Sequence, residues 1–96
     1  MREKDIEKYL RDQVRPIGGK AYKFVSPGND GVPDRIVIFP GRQPVFVELK
    51  TDTGRLTALQ KVQIDRLRSL GQDARVVRGA AGVKAFLEEL KGGDAE

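Results

Sequence analysis

The chain has 96 residues, 39% of them apolar, which is enough for one small domain and no second module of comparable size. Its formal charge is +4 with a pI near 9.6, and the basic residues are spread along the chain, a modest excess that fits a polyanionic partner such as nucleic acid. The absence of cysteine excludes disulfides and thiolate metal sites, and with no signal-peptide pattern or apolar run of bilayer length the sequence predicts a soluble, cytoplasmic protein without a membrane partner.

Residues 2–14 carry Ile6, Leu10 and Val14 at four-residue spacing among charged residues, which predicts an amphipathic helix packed on a sheet. Glu3 and Glu7 lie close to that apolar stripe, so one of them can turn toward a site; equally, glutamates in a first helical turn suit the positive end of the helix dipole and need no other purpose. Pro16, Gly18 and Gly19 end the helix. Residues 20–25 predict a first strand, in which Lys20 and Lys23 either reach a phosphate backbone or guard a solvated sheet edge. The turn-rich loop 26–33, SPGNDGVP, follows; Asn29 and Asp30 read as turn formers, and Gly28 and Gly31 allow close backbone approach at the mouth of a site.

Residues 36–39 and 45–47 are β-branched and aromatic, with Pro40, Gly41 and Pro44 between them, and predict a hairpin. Pairing Asp34 near Lys50 and Ile36 near Glu48 sets Asp34, Glu48 and Lys50 on one face of the sheet, whereas a slip of one residue scatters them. Taken singly, Asp34 is a turn or cap residue and Glu48 with Lys50 an exposed pair. Together, among Ile, Val and Phe on both faces, they predict a charged cluster inside a sheet covered on both sides. Two buried carboxylates need a cation to offset their repulsion. Carboxylates, a backbone carbonyl and water form a hard-oxygen set that favours magnesium or manganese. Lys50 then suits the orientation of a nucleophile, or the stabilisation of developing charge, in phosphodiester hydrolysis. No organic cofactor is implied. Arg35 is expected on the opposite face, against an acid or a dimer contact.

Residues 51–56 form a polar loop in which Arg55 either holds a phosphate or is simply exposed. The second long helix spans 57–70, with Thr57 as N-cap and Leu59, Val62, Leu67 and Leu70 as its expected core contacts. Thr57-Ala58-Leu59-Gln60 matches a capping box, and Gln60 and Gln63 interrupt the apolar stripe as though that side met something polar. A last strand at 74–78 and a terminal helix at 82–91, with Val83, Phe86, Leu87 and Leu90 inward, complete a single domain of residues 1–91, followed by a frayed tail at 92–96. The order is helix, three strands, helix, strand, helix, with a right-handed crossover between the third and fourth strands.

Pro33-Asp34, thirteen intervening residues and then Glu48-Leu49-Lys50 resemble the core of the PD-(D/E)xK nucleases. With Glu3, Glu7, the segments KFVSPG (23–28), GVPDR (31–35), FVELK (46–50) and GRLT (54–57), and Gln60, the pattern is similar to the VRR-NUC branch, the virus-type replication-repair nucleases, as far as about Arg78. The resemblance implies a restriction-endonuclease-like α/β fold of order αβββαβα, a mixed central sheet flanked by helices. It implies that Asp34, Glu48 and the Leu49 carbonyl bind Mg2+ or Mn2+, with Glu3 or Glu7 at the rim and Glu7 slightly favoured by spacing. Lys50 would orient or activate water, Gln60 would position the scissile phosphate, and Lys23 and Arg55 would touch DNA. The implied activity is that of a metal-dependent, structure-selective DNA endonuclease of phage or infected bacterial cells, acting in DNA repair. The stand-alone viral members resemble homodimeric resolvases, so a four-way (Holliday) junction is the expected substrate. A flap or other branched-DNA nuclease, and a catalytically silent nucleic-acid-binding module, are the alternatives.

Overall fold

The computed structural model describes residues 1–93. The spacing of Ile6, Leu10 and Val14 produces α1 (Glu3–Val14), and all three side chains are fully buried. A 3-10 turn (Arg15–Ile17) and Gly18, whose φ of 87° suits a residue without Cβ, turn the chain into β1 (Lys20–Lys23). Two antiparallel strands follow, β2 (Arg35–Ile38) and β3 (Val45–Lys50), and α2 (Ala58–Ser69) then carries the chain to β4 (Asp73–Arg78), which runs parallel to β3. The strands lie in the order β1-β2-β3-β4, and α3 (Gly79–Gly93) closes the domain, as the α/β reading of the sequence expects.

Several boundaries differ from expectation. β1 stops at Lys23, although the Phe24 N–H still donates to the Asp34 carbonyl at 2.9 Å. β4 begins one residue earlier, at Asp73, and α3 begins at Gly79, because this glycine takes a φ of 61° and turns the chain from strand to helix without a loop. α3 runs to Gly93, and residues 94–96 of the expected tail lie outside the described residues.

The two faces of the sheet divide the labour. On one, Val37, Val45, Val47 and Leu49 are fully buried against Ile6, Leu10 and Val14 of α1 and Val83, Phe86, Leu87 and Leu90 of α3. Each such side chain contributes about 1.5–3 kcal/mol on burial, so this face carries most of the stability. The other face is covered by α2, whose neighbour in the sheet is β4. β3, central between β2 and β4, is therefore buried along both faces, and it is here that Glu48 and Lys50 sit at 1% and 8% exposure.

Two expectations about side-chain placement are corrected. The hairpin register pairs Arg35 with Val47, Ile36 with Phe46 and Val37 with Val45, two residues away from the expected partners. A displacement of two preserves the alternation, so Ile36, Phe46, Glu48 and Lys50 still share one face. In α2 and at its C-cap, Leu59, Val62 and Leu70 are exposed, and Ile64 supplies the buried contact. The reason is the surface that α2 covers: with carboxylate and ammonium groups on it, the helix turns Gln60 and Ile64 inward and leaves its apolar flank to solvent. Among the described residues no helix is long and apolar enough to cross a membrane.

Candidate active site

The site forms where β2 begins and β3 ends. β2 starts only at Arg35, so the backbone N–H of Leu49 reaches past the strand's end, and there the carboxylate of Asp34 accepts it at 2.9 Å from Oδ2. A residue in a strand presents its N–H and C=O to the same side, so the Leu49 carbonyl faces the same edge as Asp34. Pro33, itself buried, fixes the chain just before Asp34.

Glu48 is the most deeply buried ionisable group in the described chain. Burial, followed by the repulsion of Asp34, pushes its carboxyl up to about 8 from an ordinary value of 4.5; Lys50 pulls it the other way and the more distant Glu3 adds to the rise. Lys50 Nζ lies 3.7 Å from Glu48 Oε2, with its stem buried along the sheet. Glu48 Oε1 is buried and has no hydrogen-bond partner among the described residues. An orphaned buried acceptor beside a second carboxylate is the arrangement a hard divalent cation satisfies. Among the described residues no group of three acidic, histidine or cysteine side chains gathers here or elsewhere, so such a cation would take two carboxylates, a backbone oxygen and waters.

Gln60 completes the cluster from α2. Its Oε1 accepts the Thr57 N–H at 2.9 Å and the Thr57 hydroxyl accepts the Gln60 N–H at 3.1 Å, closing the capping box, while its Nε2 donates to Glu48 Oε2 at 3.1 Å. One end of the Gln60 amide thus closes the capping box while the other end contacts Glu48. The loop that delivers Asp34 is tied to the same helix: Gln63 Nε2 donates to the Asp30 carbonyl at 3.3 Å, and Gly31 lies so near α2 that a Cβ there would stand 2.7 Å from the Leu59 carbonyl carbon.

The sequence matches the VRR-NUC domain family over residues 4–81. This chain belongs to the VRR-NUC family. A protein named "Putative nuclease p44", from Acyrthosiphon pisum secondary endosymbiont phage 1, is 48% identical over 77 residues, covering 80% of this chain and 83% of the phage protein. A solved VRR-NUC domain structure superposes with a TM-score of 0.83 at 29% identity, spanning 90% of this chain and 94% of the other. The chain is thus a nuclease domain, and Asp34, Glu48, Lys50 and Gln60 are its convergent polar cluster.

The remaining sequence-derived candidates of this VRR-NUC domain fall elsewhere. Glu7, which spacing favours over Glu3, accepts from Arg35 Nε at 3.0 Å and Nη2 at 2.7 Å through a single oxygen, on the face opposite Glu48. Arg35 is 9% exposed, so Glu7 is the counter-ion of a nearly buried guanidinium. Glu3, exposed one turn earlier, is the α1 carboxylate whose field reaches Glu48. Lys23 pairs with Arg35 in register, and its side chain leaves from the same face as Arg35, away from Glu48. Arg55 is exposed and lines a concavity with Leu56, Lys61 and Arg78. Nothing in the sequence singles out Lys61, and only the parallel register of β3 and β4 sets Arg78 abreast of Lys50.

Proposed function

We propose that this VRR-NUC domain is a metal-dependent, structure-selective DNA endonuclease that cuts four-way junctions as a homodimer. The observation that carries the reading is the orphaned Glu48 carboxylate, buried beside Asp34 and faced by Lys50 and Gln60. Asp34, Glu48 and the Leu49 carbonyl would hold Mg2+ or Mn2+, and Glu3, in place of Glu7, would contribute at the rim through water. A cation held there would neutralise phosphate charge and lower the pKa of a water. Lys50, fixed by its buried stem, holds a positive charge beside Glu48, where it orients the attacking water or meets charge developing on the phosphate. Gln60, which donates to Glu48, would position the scissile phosphate.

So small a domain leaves little surface for reading base edges, and selection rests on backbone shape and geometry. Leu59, Val62 and Leu70, exposed at 56%, 47% and 67% along one flank of α2, offer apolar surface to a second copy. A twofold dimer would set two such sites for symmetrical cuts.

The test is cleavage of a synthetic four-way junction against a linear duplex and a flap of matched sequence, in Mn2+, Mg2+ or EDTA, with Asp34→Ala as control and light scattering for mass. Paired, metal-dependent cuts in the junction by a dimer are expected. Preference for the flap would make this a branched-DNA nuclease of another kind, and binding without cleavage under any metal would leave a silent binding module.

A further inference from the structure

Arg55, Lys61 and Arg78 come from three separate parts of the chain, the loop 51–56, the first turn of α2 and the end of β4, and converge on one open concavity whose remaining wall is Leu56. All three are exposed, and among the described residues none forms an ion pair, whereas Arg35, Arg42, Lys50 and Arg75 do. Three like charges brought together without an ion-pair partner among the described residues repel one another, and the arrangement is held against that repulsion by other contacts. Arg78 Nη1 donates to the Gly54 carbonyl, and Thr57 and Gln60 brace the start of α2.

The position of this basic concavity identifies the anion that suits it. Lys61 follows Gln60 on α2, and Arg78 lies beside Lys50 across the parallel strands. Gly54, whose carbonyl Arg78 holds, lies against the Lys50 stem, with its added Cβ 3.5 Å from Lys50 Cδ. The concavity therefore adjoins the catalytic cluster directly. We infer that Arg55, Lys61 and Arg78 form a second phosphate cradle, which takes the DNA phosphate neighbouring the scissile one and so sets the direction in which the strand leaves the site. The cradle rests on the nuclease reading for its register, though not for its affinity for phosphate.

The test is binding of a short fluorescent duplex and a four-way junction by anisotropy in EDTA across a salt series. The wild-type chain is compared with Arg55→Gln, Lys61→Gln and their double variant, and cleavage is measured in parallel with Mn2+. Both positions are exposed, so the variants retain the fold, which a thermal melt verifies. Lys84→Gln, an exposed change of equal charge on α3, is the control. Each cradle variant is expected to weaken binding about threefold to tenfold and to reduce the slope of log K against log salt by about 1, irrespective of sequence. Lys84→Gln should do neither. Unchanged slopes, an equal effect from Lys84→Gln, or a wild-type chain that binds no DNA would each overturn the cradle. If the wild-type chain binds with a slope that the variants reduce but cuts nothing, the cradle stands and the nuclease reading falls.

Discussion

Gln60 Nε2 donates to Glu48 Oε2 across 3.1 Å while Oε1 of the same amide accepts the Thr57 N–H at 2.9 Å. A backbone N–H can only donate, so the capping box fixes which end of the amide faces Thr57 and delivers the NH2 end to the carboxylate. A structural motif thereby orients a site residue. Gln60→Glu separates the two roles: a carboxylate oxygen can still accept from Thr57, but the donor to Glu48 is gone and a third negative charge arrives. Cleavage should fall at least about tenfold, the loss expected when one good polar contact of roughly 1.4 kcal/mol disappears from the site. Gln60→Ala should lose cleavage and also about 1 kcal/mol of stability through the cap. Rates and melts of both variants decide; wild-type cleavage by Gln60→Glu would reduce the residue to a cap.

Glu48 costs the folded protein stability whenever it must be ionised. Its folded value of about 8 lies above the ordinary 4.5, so below about 4.5 both folded and unfolded chains hold the proton. Between the two values the unfolded chain gives up the proton first, folding takes one up, and stability falls as pH rises; above about 8 the loss is complete. Glu48→Gln removes this dependence while keeping shape and hydrogen bonding. It should melt close to wild type at pH 4 and at least about 5 °C higher at pH 8.5 without metal. Adding Mn2+ at pH 8.5 should raise the wild-type melting temperature and leave Glu48→Gln nearly unmoved, because binding to the folded state alone stabilises it. Parallel pH profiles for the two chains would show that Glu48 does not titrate there.

The elements were legible from period and punctuation: four-residue spacing in α1, β-branched runs in β2 and β3, and turn residues between them. The face shared by Glu48 and Lys50 was legible too, and it survived a wrong register because an error of two residues leaves alternation intact. What the sequence hid depends on partners distant in the chain. Leu59, Val62 and Leu70 have core periodicity, yet the polar surface beneath α2 turns Ile64 inward instead. Glu7 and Glu3 differ by one helical turn, and only the position of Arg35 on the opposite face decides which of them it takes.

That division of the α1 glutamates is testable. Glu7→Ala leaves Arg35, 9% exposed, with only the Ala21 carbonyl at 3.4 Å, and should cost about 2 kcal/mol, roughly 10 °C in melting temperature. Glu3→Ala removes an exposed side chain, so its melting temperature should stay within about 3 °C of wild type. The same variant should need more Mn2+ for half-maximal cleavage. A Mn2+ titration of each variant beside its melt separates the two; loss of cleavage in Glu7→Ala with an unchanged melt would exchange their roles.

Gly31 couples the loop before Asp34 to α2, and its replacement should damage the site at a distance. Its φ of 90° is a conformation that side chains rarely adopt, and an added Cβ would stand 2.7 Å from the Leu59 carbonyl carbon and 2.8 Å from its oxygen. Backbone cannot swing aside as a lysine tip can, so the loop must lift from the helix. Lifting it strains the Gln63 contact to Asp30 and moves Pro33 and Asp34, which lie two and three residues on. Gly31→Ala should therefore cost about 1–3 kcal/mol and lower cleavage by more than its unfolded fraction explains. Amide exchange at Leu49, whose N–H is held by Asp34, reports the displacement directly. Faster exchange at Leu49 with the α1–α3 core still protected is the expected pattern; unchanged exchange there and full cleavage would mean that the loop bears no load in placing Asp34.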